Sequence, residues 1–267
     1  MLKKIRATPW IQEKYHISDV AGRFFGEIGG GHLILSTIPF ASTKVMQLRS
    51  KTENLAAVST FQINGRLVGL ASIHLDYGAE ENPIRRDQLM LVMAMLKKLE
   101  CKDMILAGDF GTNDHFVDVV DVDFSKRFCD LWSCTFPPSL TPHTQEERRD
   151  SSKKYVAIVP EAKKQLPAVN LPKETLEQLS RLGFTVDSKE NNLLRKLHPE
   201  VTSGRYDRIL LCSEGLFWDR LMGIRMFGKV LIEGSKDMFP STHFGLSAKI
   251  ASSAMDERPE EGSCSIS

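Results

Sequence analysis

Asp103-Met104-Ile105-Leu106-Ala107-Gly108-Asp109-Phe110 reads as a buried strand that delivers a carboxylate: an apolar run of strand length, a glycine, then Asp109. Gly108 carries no Cβ, so the backbone beside Asp109 is expected to be open to close approach by a substrate. Three more stretches share the design. Leu67-Val68-Gly69-Leu70-Ala71-Ser72-Ile73 runs into His74, Asp207 opens Ile209-Leu210-Leu211, and His243 opens Leu246-Ser247-Ala248-Lys249-Ile250. Two histidines and two aspartates thus stand at or beside strand ends. A sheet that gathers them on one rim offers general acid–base chemistry and a place for a hard cation and a phosphate. Phosphodiester hydrolysis is the reaction this points to, provided that positions 74, 109, 207 and 243 converge.

The segments around these strands support a sheet protein with helical cover. Leu55 to Ile63 and Arg66 to Ile73 flank Asn64-Gly65, a strong hairpin signal because both turn residues accept positive φ. After Pro83, Leu89, Val92, Leu96 and Leu99 recur at helical spacing, so a helix is expected over Ile84 to Glu100. From Gln145 to Gly204 the composition turns polar and basic, with Lys153-Lys154, Lys163-Lys164 and several prolines, which reads as an insert at about 145–204. Within it Leu176, Leu179 and Leu182 suggest a helix from Lys173 to Leu182 stopped by Gly183. The lysine pairs fit a solvated loop better than a phosphate contact. From 251 to 267 Ser, Glu, Pro and Gly dominate, and a disordered tail is expected. Gly26-Glu27-Ile28-Gly29-Gly30-Gly31 lacks dinucleotide-loop spacing and precedes a strand at Leu33-Ile34-Leu35, so it reads as a turn.

A chain of 267 residues with 42% hydrophobic content can bury one large core. The formal net charge of +1 gives no global positive field, which leaves nucleic acid neither supported nor excluded. Five cysteines, Cys101, Cys129, Cys134, Cys212 and Cys264, lack close paired spacing, which argues for free thiols and an intracellular setting, nucleus or cytoplasm. No run approaches the roughly eighteen apolar residues of a membrane span, and no membrane partner is expected.

In that order, Ile73-His74-Leu75, Gly108-Asp109-Phe110, Tyr206-Asp207-Arg208-Ile209 and Ser241-Thr242-His243-Phe244-Gly245-Leu246 resemble the endonuclease/exonuclease/phosphatase superfamily of DNase I-like proteins. Ile38 to Met46 and Phe239-Pro240-Ser241 look most like the 5′-tyrosyl-DNA phosphodiesterases, and Asp130-Leu131-Trp132 and Leu140 to Thr144 fall where that family has comparable stretches. The resemblance covers about residues 20 to 250, and a domain over 1–250 follows from it. It implies an α/β fold, a four-layer αββα sandwich of two packed, mostly antiparallel sheets lacking the family's first strands. It implies a magnesium- or manganese-dependent hydrolase of phosphodiester bonds at DNA ends, a DNA-repair role, and DNA as partner. By the same resemblance Asp109 orients or deprotonates the attacking water and is the one metal ligand retained. Asp207 holds His243 as an imidazolium against phosphorane-like charge. His74 supports the rim from the opposite sheet, and Arg208 braces neighbouring carbonyls and carboxylates. His115 and His143 read as ordinary loop histidines.

The chain also departs from that family. The metal-binding glutamate and an early asparagine have no counterpart; Ile11-Gln12-Glu13 mimics the Gln-Glu metal motif but sits too close to Tyr15-His16-Ile17. The family's asparagine two residues after the catalytic aspartate is Gly111, unless Asn113 swings in, and the aspartate before the last histidine is Thr242. Each lost donor or charge costs about 3–4 kcal/mol at a transition state, so impaired catalysis is expected. Three readings follow: a DNA-end phosphodiesterase with weakly bound or absent metal, a catalytically silent paralogue binding nucleic acid or protein, and an inositol-phosphate or sphingolipid phosphodiesterase. Missing first strands would expose a sheet edge for a partner to cover.

Overall fold

The computed structural model describes residues 2–19, 31–50, 54–112, 127–135, 181, 183–212, 221–250 and 265–266. Two short helices, α1 (Leu2–Ala7) and α2 (Pro9–Lys14), lead into β1 (His16–Ile17), which pairs antiparallel with β2 (Leu35–Ser36). Six further strands form the main sheet: β3 (Phe40–Gln47), β4 (Leu55–Ile63), β5 (Arg66–His74), β6 (Asp103–Asp109), β7 (Cys129–Asp130) and β8 (Asp207–Cys212), in the order β3-β4-β5-β6-β8-β7. A second sheet has the order β11-β10-β9, from β9 (Leu221–Phe227), β10 (Gly245–Ile250) and β11 (Ser265–Ile266). The fold is α/β, and the main sheet is antiparallel except at β5–β6.

Asn64 and Gly65 turn the β4–β5 hairpin at φ 50° and 75°, as the turn chemistry requires. The parallel step from β5 to β6 needs a crossover, which α3 (Asn82–Lys98) provides with Pro83 in its first turn. Leu89, Val92, Met93 and Leu96 of α3 pack with Val58, Ala71, Ile73 and Leu106 on the outer face of the sheet. On the inner face Val68, Ile105, Ile209 and Leu211 meet Ile224 of β9 and Ala248 and Ile250 of β10. The alternation of side chains along a strand therefore sends 70, 72 and 74 of β5, 105, 107 and 109 of β6, and 207, 209 and 211 of β8 towards the second sheet.

Several expectations meet a different outcome. Gly108 has φ 134°, and a Cβ there would lie 2.1 Å from the Ile73 carbonyl oxygen, so the glycine serves the contact between β5 and β6 and not substrate approach. Of the strand expected over Leu33-Ile34-Leu35 only Leu35 is in a strand, the two-residue β2 (Leu35–Ser36). Cys101 and Cys212 are buried free thiols, but Cys129 is disulfide-bonded, so the free-thiol reading fails there; spacing along the chain does not report proximity in space. Ser265–Ile266, within the stretch expected to be a tail, pairs with β10. Residues 26–30 of the expected turn, all of the expected 173–182 helix but Arg181, both lysine pairs, Leu140 to Thr144, Asn113, His115 and His143 lie outside the described residues. Among the described residues no helix is long and apolar enough to cross a membrane.

Candidate active site

Three of the four sequence-selected groups lie in one row. His74 is in register with Asp109 across the parallel β5–β6 pair, and Asp109 with Asp207 across β6–β8. All three are at inner-face positions on strand ends of the main sheet. The expectation that His74 works from the opposite sheet is therefore corrected: it shares the sheet of Asp109, because α3 returns the chain to the neighbouring strand position. The group contributed by the second sheet is His243, just before β10.

His243 Nδ1 lies 2.9 Å from Asp207 Oδ2 and 3.7 Å from Asp109 Oδ2, while His74 Nε2 lies 3.9 Å from that same Asp109 oxygen. Tyr77, three residues beyond His74, donates its hydroxyl to Asp109 Oδ2 and stands 3.4 Å from His243 Nε2. The other Asp109 oxygen accepts the Gly111 N–H at 2.8 Å. Asp109 Oδ2 is thus the hub on which Tyr77, His243 and His74 converge. Burial and the Asp207 charge push the Asp109 carboxyl above the usual carboxylate range, outweighing the Tyr77 bond, the His243 charge and the Gly111 N–H. Burial opposes protonation of His243, but the hydrogen bond and charge of Asp207, with the Asp109 charge, overcome it and raise the imidazole above its ordinary value. An imidazolium with Nδ1–H on Asp207 presents Nε2–H to the Tyr77 hydroxyl oxygen.

The loops are held by buried polar groups. Thr185 Oγ1 accepts the N–H groups of Tyr206 and Asp207 at 3.1 and 3.0 Å, and the Thr185 carbonyl accepts the Phe244 N–H at 2.7 Å. Asn191, fully buried, donates Nδ2 to the carbonyls of Ser241 and Thr242 and accepts the Leu194 N–H on Oδ1, capping α4 (Asn192–Leu197). Segment 183–204, part of the stretch read as an insert, therefore fixes both Asp207 and His243. Below the row, Asp130 Oδ2 takes Arg205 Nη1 at 2.6 Å and Arg208 Nη1 at 2.9 Å, the brace expected of Arg208. Those two guanidinium charges override burial and hold the Asp130 carboxyl below the usual range. Sequence reasoning missed Tyr77, Thr185 and Asn191. Tyr77 alone had a local signal, an aromatic in the loop leaving the His74 strand.

No family model and no curated protein matches the chain. Solved structures do. A truncated TDP2 of Caenorhabditis elegans superposes with TM-score 0.59 at 17% identity, over 94% of this chain and 78% of that one. TDP2 of D. rerio, complexed with a single-strand DNA product, gives 0.58 at 18%, over 92% and 79%. An endonuclease/exonuclease/phosphatase family protein of Bacteroides thetaiotaomicron gives 0.53 at 14%, over 93% and 78%. The fold is that of the endonuclease/exonuclease/phosphatase proteins.

Within that fold the residues present suit a cation. One ligand atom each from Asp109, Asp207 and His243 lies within 4.8 Å of the others, and the two carboxylates repel one another as the raised Asp109 shows. A divalent ion bound by one or two carboxylates relieves that repulsion. Glu13 contributes nothing to this cluster; it lies exposed on α2. Gly111 cannot be replaced by a side chain in place: its φ is 64° and a Cβ would sit 2.2 Å from the Asp76 carbonyl oxygen.

Proposed function

We propose that this chain is a metal-dependent phosphodiesterase of DNA ends, in the manner of a 5′-tyrosyl-DNA phosphodiesterase, with turnover lowered by the missing donors. The observation that carries the reading is the meeting of Asp109, Asp207 and His243 at the open end of the inter-sheet space; the TDP2 fold and the sequence resemblance support the choice of substrate. Asp109 and Asp207 would hold magnesium or manganese, which supplies charge neutralisation at the phosphate when bound. Asp109 Oδ2, released from Tyr77, takes the proton of the attacking water. His243 keeps Nδ1–H on Asp207 and offers Nε2–H to a non-bridging oxygen as charge builds. His74 stands beside Asp109 and limits how its carboxylate can rotate. The nuclear or cytoplasmic setting belongs to this same reading.

The test is release of p-nitrophenol from the p-nitrophenyl ester of thymidine 5′-monophosphate with magnesium, against Asp109→Asn and against chelator. Wild type should be slow, with the variant lower by on the order of a hundredfold. Equal rates for the two proteins discard the assignment.

A second reading, a silent paralogue that binds nucleic acid or a protein, is favoured by one observation: both Asp109 oxygens are engaged by protein donors, Gly111 N–H and Tyr77 O–H. It predicts single-stranded DNA binding, followed by fluorescence anisotropy, that neither chelator nor Asp109→Asn weakens.

A further inference from the structure

Segment 183–204 holds the loops of Asp207 and His243, and it also walls a cavity of about 480 Å³ whose lining includes no residue of the cluster. Two antiparallel hydrogen bonds between Val186 and Gly204, at 3.0 and 2.8 Å, clip the walls together. On one lip the Phe184 N–H binds the Arg181 carbonyl at 3.0 Å, which keeps the two residues together. The lining joins two cations, Arg181 and Lys189, to the hydroxyls of Ser188, Thr202 and Ser203, and among the described residues it has no carboxylate. Arg181 gives Nη2 to Asp187 Oδ2 at 2.5 Å and is still 31% exposed, so other donors of its fork remain for a second anion. Ser203 Oγ accepts the Ser188 N–H at 2.9 Å and lies 3.0 Å from Ser188 Oγ. That pair of hydroxyls uses one of its protons on itself and leaves the other for an acceptor in the cavity.

We propose that this cavity is an effector site for a small phosphomonoester, its phosphate on Arg181, Lys189 and the serine hydroxyls and its apolar part on Phe184 and Val201. The volume lies in the range of small-molecule sites, and a dianionic phosphate matches a lining of cations and hydroxyl donors. The apolar pair gives an alkyl phosphate an advantage over the bare ion. Asp187 carries the effect to the cluster. Buried and bound to Arg181, it accepts the N–H groups of Lys189 and Glu190 on Oδ1 at 3.0 and 3.3 Å, and its carbonyl takes the Asn191 N–H at 2.7 Å. Asn191 in turn holds the Ser241 and Thr242 carbonyls ahead of His243. A phosphate that shares Arg181 with Asp187 therefore loosens the turn from which His243 is positioned. The site stands apart from the phosphodiesterase reading of the cluster, and either holds without the other.

NMR titration of the full chain tests the proposal, in chelator so that no metal brings phosphate to the cluster, with butyl phosphate, inorganic phosphate and a short single-stranded oligothymidylate as probes. Butyl phosphate should move the backbone amides of Ser188, Lys189 and Ser203 at millimolar concentration. It should bind about tenfold tighter than inorganic phosphate, the worth of roughly two buried methylenes. The His243 ring signals should move along the same saturation curve. Lys189→Gln, at an exposed position, should weaken butyl phosphate about tenfold, as expected for a lost charge-assisted bond, and the His243 response should weaken with it. Arg181→Gln should abolish both; if the unpaired Asp187 keeps that variant from folding, Lys189→Gln decides alone. Silent amides at Ser188, Lys189 and Ser203, equal affinity for the two phosphates, or an unchanged affinity in Lys189→Gln each overturn the proposal. A His243 signal that stays still, or one that moves at undiminished strength in Lys189→Gln, overturns it as well. So does tighter binding of the oligothymidylate at those amides, which would make the cavity part of a nucleic-acid track.

Discussion

Asn191 is where fold and site should fail together. Its Oδ1 caps α4 through the Leu194 N–H at 3.1 Å, and its Nδ2 holds the Ser241 and Thr242 carbonyls at 2.8 and 3.1 Å, one residue short of His243. Asn191→Ala removes all three bonds at a fully buried position. Loss of an N-cap costs about 1 kcal/mol, and each buried hydrogen bond about 1 kcal/mol, more where a carbonyl is left without a donor. The expected loss is about 3 kcal/mol, read as a lower urea midpoint at unchanged slope and a melting temperature lower by roughly 6–12 °C. Asn191→Asp separates the two duties: its carboxylate still caps the helix but faces two carbonyls without a donor. It should free the loop before His243, weakening phosphate binding more than cap loss alone explains. A midpoint within about 0.5 kcal/mol of wild type for Asn191→Ala, or an unchanged loop in Asn191→Asp by His243 chemical shift, would refute the reasoning.

Four further outcomes follow from the same contacts. Asp207→Asn should drop the His243 imidazole from its raised value towards or below 6.5, followed by NMR titration; the stability that pairing gives is complete below 6.5 and lost as pH rises through the raised value. Asp109→Asn should raise the melting temperature by a few degrees at neutral pH while lowering hydrolysis. The folded carboxyl is pushed above 3.8, so stability falls as pH rises through that window, and the gain should vanish in acid, where the wild-type group is protonated. Asp130→Ala leaves Arg205 and the buried Arg208 without their carboxylate and should cost about 3–5 kcal/mol by urea unfolding; because the Asp130 carboxyl is held low, the wild-type advantage should fade as pH falls below 3.8. Gly111→Asn should fail to fold, or lose several kcal/mol in the same measurement, because φ is 64° and Asp76 O stands in the way.

What the sequence made legible was whatever has a period or a local turn chemistry. The β4–β5 hairpin follows from Asn64-Gly65, and α3 from the Leu89–Val92–Leu96 stripe. The strand-end placement of His74, Asp109 and Asp207 follows from apolar runs that stop at an ionisable residue, and their shared face from the two-residue repeat of a strand. Asn191 had no such signal. The carbonyls it holds lie 50 and 51 residues away, and polar contacts across that separation leave no pattern in either segment. Thr185 was hidden for the same reason, with its carbonyl serving Phe244 across the two sheets. His74 shows the complementary error. The residue was legible, but its sheet depended on α3 carrying the chain to the adjacent parallel strand, which is a topological fact and not a local one.

The backbone at 111 separates the two functional readings more sharply than any missing carboxylate. A side chain lost by substitution at an ordinary position could be restored by the reverse change. At Gly111 the turn itself excludes one: the residue is left-handed, its N–H is spent on Asp109 Oδ1 and its carbonyl receives Arg85 Nη1 at 3.2 Å. A donor to the phosphate must therefore come from elsewhere on the rim, and Tyr77 is the one hydroxyl that the described residues place within reach of both Asp109 and His243. If turnover is present, Tyr77→Phe should lower kcat with little change in KM for an alkyl ester, since the bond is needed only as charge develops. If turnover is absent, that hydroxyl is a plug on Asp109, and Tyr77→Phe should instead tighten manganese binding, measured by the loss of free-ion EPR signal. The two readings thus predict effects in different observables of one variant, and a protein in which neither moves contradicts the placement of Tyr77 at the hub.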